Sequence, residues 1–192
     1  RGRSVGPIPD QILLHGREDF VGAVSSSISD GSSILLEGLP GIGKTTVAVS
    51  TAEYLIEDGW IVRWENGQSD SDPRSIAGSW FGGRTPSTKD AIAARADSKK
   101  TLLVLDEAQQ LSGRHSNSIQ EMLEACSETS AAVLVVIRAP NPFTEMSGFE
   151  SIRLEGLEPS MARSLLPEEL DEEEAMEICL AMDGHPLGIK LW

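Results

Sequence analysis

A short apolar run that breaks into three glycines and then re-enters a helical pattern on Lys-Thr limits what this chain can fold into. The residues are Ile34-Leu35-Leu36-Glu37-Gly38-Leu39-Pro40-Gly41-Ile42-Gly43-Lys44-Thr45-Thr46. They satisfy the spacing G-x-x-x-x-G-K-[ST], with a buried strand expected before the loop and a helix after it. An anionic phosphate can be wrapped by backbone N–H groups only where no Cβ blocks its approach and the chain turns sharply, which Gly38, Gly41 and Gly43 permit. The helix that follows points its positive end at the same spot. Lys44 is expected to reach the outer phosphates and the Thr45 hydroxyl to ligate Mg²⁺. Leu39, Pro40, Ile42 and Thr46 complete the loop. A bare strand-to-helix turn would account for the glycines but not for Lys-Thr at its end.

Around this stretch the sequence alternates strand and helix patterns. Phe20, Val21, Val24 and Ile28 share a helical face that Gly31 closes, and Ala48, Ala52, Leu55 and Ile56 share another that ends at Gly59. Apolar runs at 60–64, 101–105, 131–137 and 151–154 join 34–37 to give five expected strands. Five short strands separated mostly by helices imply an α/β fold with an open, doubly wound, mostly parallel sheet. Residues 1–10, with two prolines and two glycines, read as a linker or extended arm. Residues 65–100 are poor in large apolar groups and read mostly as surface loop, with a helix only over 90–96 and Trp80-Phe81 as an aromatic anchor onto the core. Beyond Gly156 the pattern is purely helical: Ser160–Leu166, a helix capped by Asp171 and ended by Gly184, and a third opening at His185-Pro186-Leu187. The expected organisation is an arm at 1–10, a nucleotide-binding domain at 11–156 and a partial helical lid at 157–192.

The net charge of −14, from 30 acidic and 16 basic residues, repels nucleic acid and anionic membranes, and no basic run is longer than Lys99-Lys100. No apolar run approaches the length that crosses a bilayer. Cys126 and Cys179 each fall on the apolar side of a helical pattern, which points to buried thiols and cytoplasmic residence rather than a disulfide. The chain opens on Arg1 and stops at Trp192 just after a helical start, and is read as a piece of a longer protein. A triphosphate entering so acidic a molecule needs local positive potential from the loop amides, Lys44, Mg²⁺ and Arg138.

Three residues outside the loop are candidates for chemistry. Asp106 ends an apolar strand expected beside the strand bearing the loop, where Mg²⁺ coordination is needed. Glu107 is placed to orient or deprotonate a water attacking the γ-phosphate, or else to cap the next helix. Arg138 ends the following apolar strand, where it either meets the γ-phosphate or pairs with a carboxylate.

Several separated features then coincide. Leu13-Leu14-His15-Gly16-Arg17-Glu18 is similar to a hydrophobic-Gly-Arg-Glu box, Leu103-Val104-Leu105-Asp106-Glu107 to a Walker B strand, and Gly184-His185-Pro186-Leu187 to a Gly-x-Pro box. With the phosphate loop and Arg138, the chain resembles the STAND class of P-loop ATPases, the signal-transduction group that includes plant disease-resistance and apoptosome NB-ARC proteins. The resemblance implies that the backbone of His15, Gly16 and Arg17 and the side chains of Pro186 and Leu187 flank the adenine. It implies a switch in which ADP holds the helical lid closed and ATP exchange opens it for assembly, with other domains of a parent chain and further copies of itself as partners. The expected function is a regulatory, slow ATPase using ATP/ADP and Mg²⁺. Two alternatives stand beside it: an AAA+ type ATPase serving DNA transactions, since Leu105-Asp106-Glu107-Ala108-Gln109 also resembles transposition regulators, and a non-catalytic nucleotide-binding module.

Overall fold

The computed structural model describes residues 2–10, 16–83, 86–111, 113–139, 141–143 and 145–192. His15 and the apolar residues 12–14 before it therefore lie outside the described residues. Six parallel strands form one sheet: β1 (Arg3–Val5), β2 (Ser33–Gly38), β3 (Ile61–Asn66), β4 (Thr101–Asp106), β5 (Ala132–Ile137) and β6 (Phe149–Leu154). Their order across the sheet is β1-β3-β4-β5-β2-β6. The alternating strand–helix pattern leads to this arrangement because parallel neighbours need long crossovers, which the helices supply.

β2, β4 and β5 are apolar on both sides, as a sheet covered on both faces requires, while β3 is apolar on one side and carries Arg63 and Glu65 on the other. Ile34, Leu36, Val62, Trp64, Leu102, Val104, Leu134 and Val136 point to one face, where α1 (Glu18–Ser29) and α2 (Lys44–Glu57) pack. Leu35, Leu103, Leu105, Val133, Val135 and Ile137 point to the other, under α3 (Pro73–Phe81), α4 (Lys89–Ala96) and α5 (Ser116–Ser127). The C-terminal helices α6 (Pro159–Ala162), α7 (Glu172–Ala181) and α8 (Pro186–Leu191) enclose a separate small core of Leu157, Ala162, Leu166, Ala175, Ile178, Cys179 and Ile189. Asp171 caps α7 as its position in the sequence implies, its Oδ1 accepting from the amides of Glu173 and Glu174. Cys126 and Cys179 are buried, free thiols, and burial pushes Cys126 up to about 12. No helix among the described residues is long and apolar enough to cross a membrane.

Three expectations are corrected. The N-terminal segment is not a free arm, because Arg3–Val5 forms a sixth strand against Ile61–Arg63. Gly6, at φ +99°, lets the chain leave that strand hard against the backbone of Trp64, where an added Cβ would stand 2.0 Å from the Trp64 carbonyl oxygen. Residues 65–100 hold a second helix, α3, opened by a capping box between Asp72 and Ser75 with Pro73 in its first turn. That helix is anchored by Trp80, which is fully buried with its indole N–H donating to the Val104 carbonyl at 3.1 Å. Finally, β4 does not adjoin β2: β5 lies between them, so Asp106 stands two strand positions from the loop-bearing strand.

Candidate functional site

The loop between β2 and α2 turns on Gly41 (φ +75°) and Gly43 (φ +103°), the latter being the residue before the first helical turn. L side chains rarely adopt such angles, which is why glycine stands there. The Lys44 ammonium is folded back onto the loop, donating to the carbonyls of Gly38 at 2.9 Å and Leu39 at 2.7 Å. Among the described residues, the acceptors that hold this buried cation are both neutral. Burial lowers its pKa, while the Glu107 and Asp106 charges raise it.

The Thr45 hydroxyl donates to Oδ2 of Asp106 at 3.0 Å. Two inter-strand spacings, roughly 10 Å, separate the ends of β2 and β4. The first turn of α2 leans across the end of β5 and closes that gap. Asp106 is 2 % exposed; burial pushes its carboxyl above the usual range, against the pull of the Glu107 amide on Oδ1 (2.7 Å) and of the Thr45 hydroxyl. A hydroxyl and a carboxylate facing each other, with no third metal-ligating side chain among the described residues, form a donor set of hard oxygens. It suits a Mg²⁺ that takes its remaining ligands from phosphate and water.

A cleft of about 310 Å³ opens over this pair. Pro40, Gly41, Gly43, Lys44, Thr45 and Thr46 line one side, Asp106, Glu107, Gln109 and Arg138 a second, and Pro186, Leu187 and Lys190 a third. Of the candidates from the three sequence boxes that fall on described residues, Asp106, Glu107, Pro186 and Leu187 line this cleft, Arg17 touches the loop, and Gly16 does neither. Gly38 and Leu39 act through their carbonyls, and Ile42 is buried beneath the loop. Arg17 does not line the cleft; its Nη2 donates to the Ile42 carbonyl at 3.2 Å and to the Glu155 carbonyl at 2.6 Å, bracing the loop against the connection that follows β6. Burial lowers its pKa. Gly16, at φ +62°, faces Met161 of α6, and a Cβ there would stand 2.5 Å from the Met161 Cβ. His185 Nε2 donates to the Pro40 carbonyl at 2.8 Å, so α8 sits over the loop.

Sequence reasoning missed Gln109 and Lys190 as cleft residues. Lys190 stands one turn after Pro186 on the same helix, so the i, i+4 rule would have found it once Pro186 was assigned. Gln109 follows the strand-end acids by two residues in a short 3₁₀ turn, Ala108–Gln110, whose geometry no periodicity reveals.

No curated protein matches this chain in sequence. In structure it is similar to a STAND protein with a tetratricopeptide repeat sensor from Pyrococcus horikoshii, at 17% identity and TM-score 0.59, over 98% of this chain and 30% of that one. It is also similar to a variant of RuvB from Thermotoga maritima, at 17% identity and TM-score 0.52, over 91% of this chain and 59% of that one. The chain thus spans less than two thirds of either protein, and at this identity the likeness is one of fold. The family model of the ATPase family associated with various cellular activities (AAA) matches residues 34–148, from the strand that carries the phosphate loop to the turn before β6. That stretch covers more than half of the chain and contains the loop, Asp106 and Arg138, and by it the chain belongs to the AAA family of ATPases.

Proposed function

We propose that this chain is the nucleotide-binding part of a regulatory switch: it binds Mg-ATP or ADP in the cleft, hydrolyses ATP slowly, and couples the nucleotide to the position of a lid formed by residues 157–192. The observation that carries the reading is the Thr45–Asp106 pair, 3.0 Å apart across an intervening strand at the mouth of the phosphate loop. In this reading Lys44 leaves the Gly38 and Leu39 carbonyls for the β- and γ-phosphates, and Thr45 and Asp106 hold Mg²⁺. Bound there, the ion neutralises phosphate charge and fixes the polyphosphate for in-line attack. Glu107 takes a proton from water as its oxygen bonds to the γ-phosphorus and the bond to the β–γ bridging oxygen breaks, releasing ADP and phosphate. Arg138 stabilises the charge at the γ-position.

The lid reading is supported by His185, which ties α8 to the loop through one hydrogen bond, and by Arg17, which joins the loop to Glu155 just ahead of the helical unit. Pro186 and Leu187 are then placed against the base, with the Gly16–Arg17 backbone opposite. The Pyrococcus relative in fold carries a tetratricopeptide repeat sensor. This supports a parent chain in which other domains read the lid position, in the manner of signal-transduction ATPases. Titration calorimetry of wild type and Lys44→Ala with Mg-ATP tests the root of the proposal: wild type binds, and the variant loses about 2 kcal/mol or more, as expected for a buried charge-assisted phosphate contact. Equal affinities overturn it.

A further inference from the structure

The turn after β4 is held in an uncommon backbone conformation. Glu107 sits at φ +53°, ψ +32°, in the left-handed region that a residue with a side chain enters at a cost, and such positions cluster where function demands them. What stabilises it is polar. The Glu107 amide donates to Asp106 Oδ1 at 2.7 Å, the Gln110 amide donates to the Glu107 carbonyl at 2.9 Å, and the Glu107 carboxylate accepts from two side-chain amides, Gln109 and Gln110.

Those two amides are not equivalent. Gln110 is exposed and reaches Glu107 Oε2 at 3.4 Å, and the bonds described for its side chain end there. Gln109 is half-buried; its Nε2 donates to the same oxygen while its Oε1 accepts from the backbone N–H of Arg138 at 3.2 Å. The orientation of this carboxamide is fixed chemically: turned over, it would set oxygen against a carboxylate and an NH₂ against an N–H. A neutral group with a donor at one corner and an acceptor at the other is what this gap requires.

We infer that Gln109 is the positioning residue of the hydrolytic acid, coupling the Glu107 carboxylate to the end of β5, where Arg138 meets the terminal phosphate. The inference rests on Glu107 acting as the base. Gln109 holds Oε2 and leaves Oε1 free for the attacking water, whereas the contact from exposed Gln110 to the same oxygen, at 3.4 Å, is too long to fix the carboxylate. Because the other end of the Gln109 amide is bonded to the Arg138 main chain, a shift of that strand end on phosphate binding moves the acid with it. Gln109 touches neither nucleotide nor water in this account. It acts only through Glu107.

The test measures steady-state ATP turnover and Mg-ATP affinity for the wild-type chain and for Gln109→Ala, Gln109→Glu, Gln110→Ala, Glu107→Gln and the double variant Gln109→Ala/Glu107→Gln. Gln109→Ala is expected to lower kcat by about tenfold or more, part of the 10²–10⁴ that a positioned base supplies, with affinity within about twofold. Gln109→Glu, close in shape and so a control for folding, is expected to lose as much, because two carboxylates repel. Gln110→Ala stays within about twofold of wild type. In the Glu107→Gln background, adding Gln109→Ala costs nothing further, a non-additivity that a merely structural residue would not give. Wild-type kcat in Gln109→Ala, equal losses in the Gln109 and Gln110 variants, or a full multiplicative loss in the double variant would each overturn the coupling while leaving the ATPase reading standing. Wild-type turnover in Glu107→Gln would instead remove Glu107 as base, and this inference with it.

Discussion

His185 donates from Nε2 to the carbonyl of Pro40 at 2.8 Å while its Nδ1 accepts from the Gly188 amide at 3.1 Å. The second bond fixes the tautomer, since a nitrogen that accepts carries no proton and leaves it on Nε2. One imidazole thus caps α8 and ties it to the phosphate loop.

Removing that ring separates its two roles. His185→Ala loses an N-cap bond of about 1 kcal/mol, roughly fivefold in the opening constant of α8. Amide hydrogen exchange at residues 187–191 is expected to quicken by that factor, with β4 and β5 unchanged. Asn caps as well as the ring does but is too short to reach Pro40. His185→Ala should also weaken Mg-ATP binding by freeing α8 from the loop, and His185→Asn should restore protection of α8 without restoring that affinity. If Asn restores both, the Pro40 bond contributes nothing to holding the lid.

Asp106 sets stability against function. Its native pKa is raised, by burial first, so its full contribution to stability is present below the unfolded value of about 3.9 and is lost as pH rises through the native value. In chelator without nucleotide, Asp106→Asn is therefore expected to melt above wild type at pH 7, with the gap closing toward pH 4. Each kcal/mol of relief appears as about 2–4 °C. With Mg-ATP at 100 times its dissociation constant wild type gains about 2.7 kcal/mol and the order reverses. A variant that melts lower than wild type in chelator at pH 7 would show that the Thr45 and Glu107 bonds outweigh the burial.

What the sequence disclosed follows from how local each signal is. The phosphate loop, Asp106 and the Asp171 cap are set by neighbouring residues, and each lies where its pattern implies. The insertion of β5 between β2 and β4 is a property of chain return over many residues, which no window reveals. β1 was hidden because glycines and prolines mark a loop, whereas Gly6 serves close approach to a neighbouring strand. The start of α3 was legible in Asp72-Pro73 and Ser75. Its small residues concealed it, because most of its burial rests on Ile76, Ala77 and Trp80.

Trp80 should accordingly be worth more than its place in a polar segment implies. Trp80→Ala is expected to cost about 3–5 kcal/mol in urea unfolding, the range for a buried aromatic. Trp80→Phe keeps most of the packing but leaves the Val104 carbonyl without the indole donor, costing about 1–2 kcal/mol. Since Trp80 does not line the cleft, Mg-ATP affinity in Trp80→Phe should stay within about twofold of wild type. A larger loss would connect α3 to the site.

Gly41 and Gly43 allow the loop and the lid to be perturbed separately. Both sit at positive φ, where a Cβ costs about 1–2 kcal/mol, so alanine at either should weaken nucleotide binding by roughly tenfold. Their surroundings differ. A Cβ on Gly43 meets nothing nearer than Arg17 Nε at 4.0 Å, whereas one on Gly41 would stand 2.7 Å from Leu187 Cδ2 and 2.9 Å from Leu187 Cβ. The second of these atoms is fixed to the α8 backbone and cannot swing aside. Gly41→Ala should therefore also push α8 off the loop, seen as faster amide exchange at residues 187–191, while Gly43→Ala leaves that exchange unchanged. Leu187→Ala, which removes Cδ2 but keeps Cβ, should return part of the protection to α8 in the Gly41→Ala chain and do nothing for Gly43→Ala. If both glycine variants loosen α8 alike, the helix responds to loop strain as a whole rather than to its contact at Leu187.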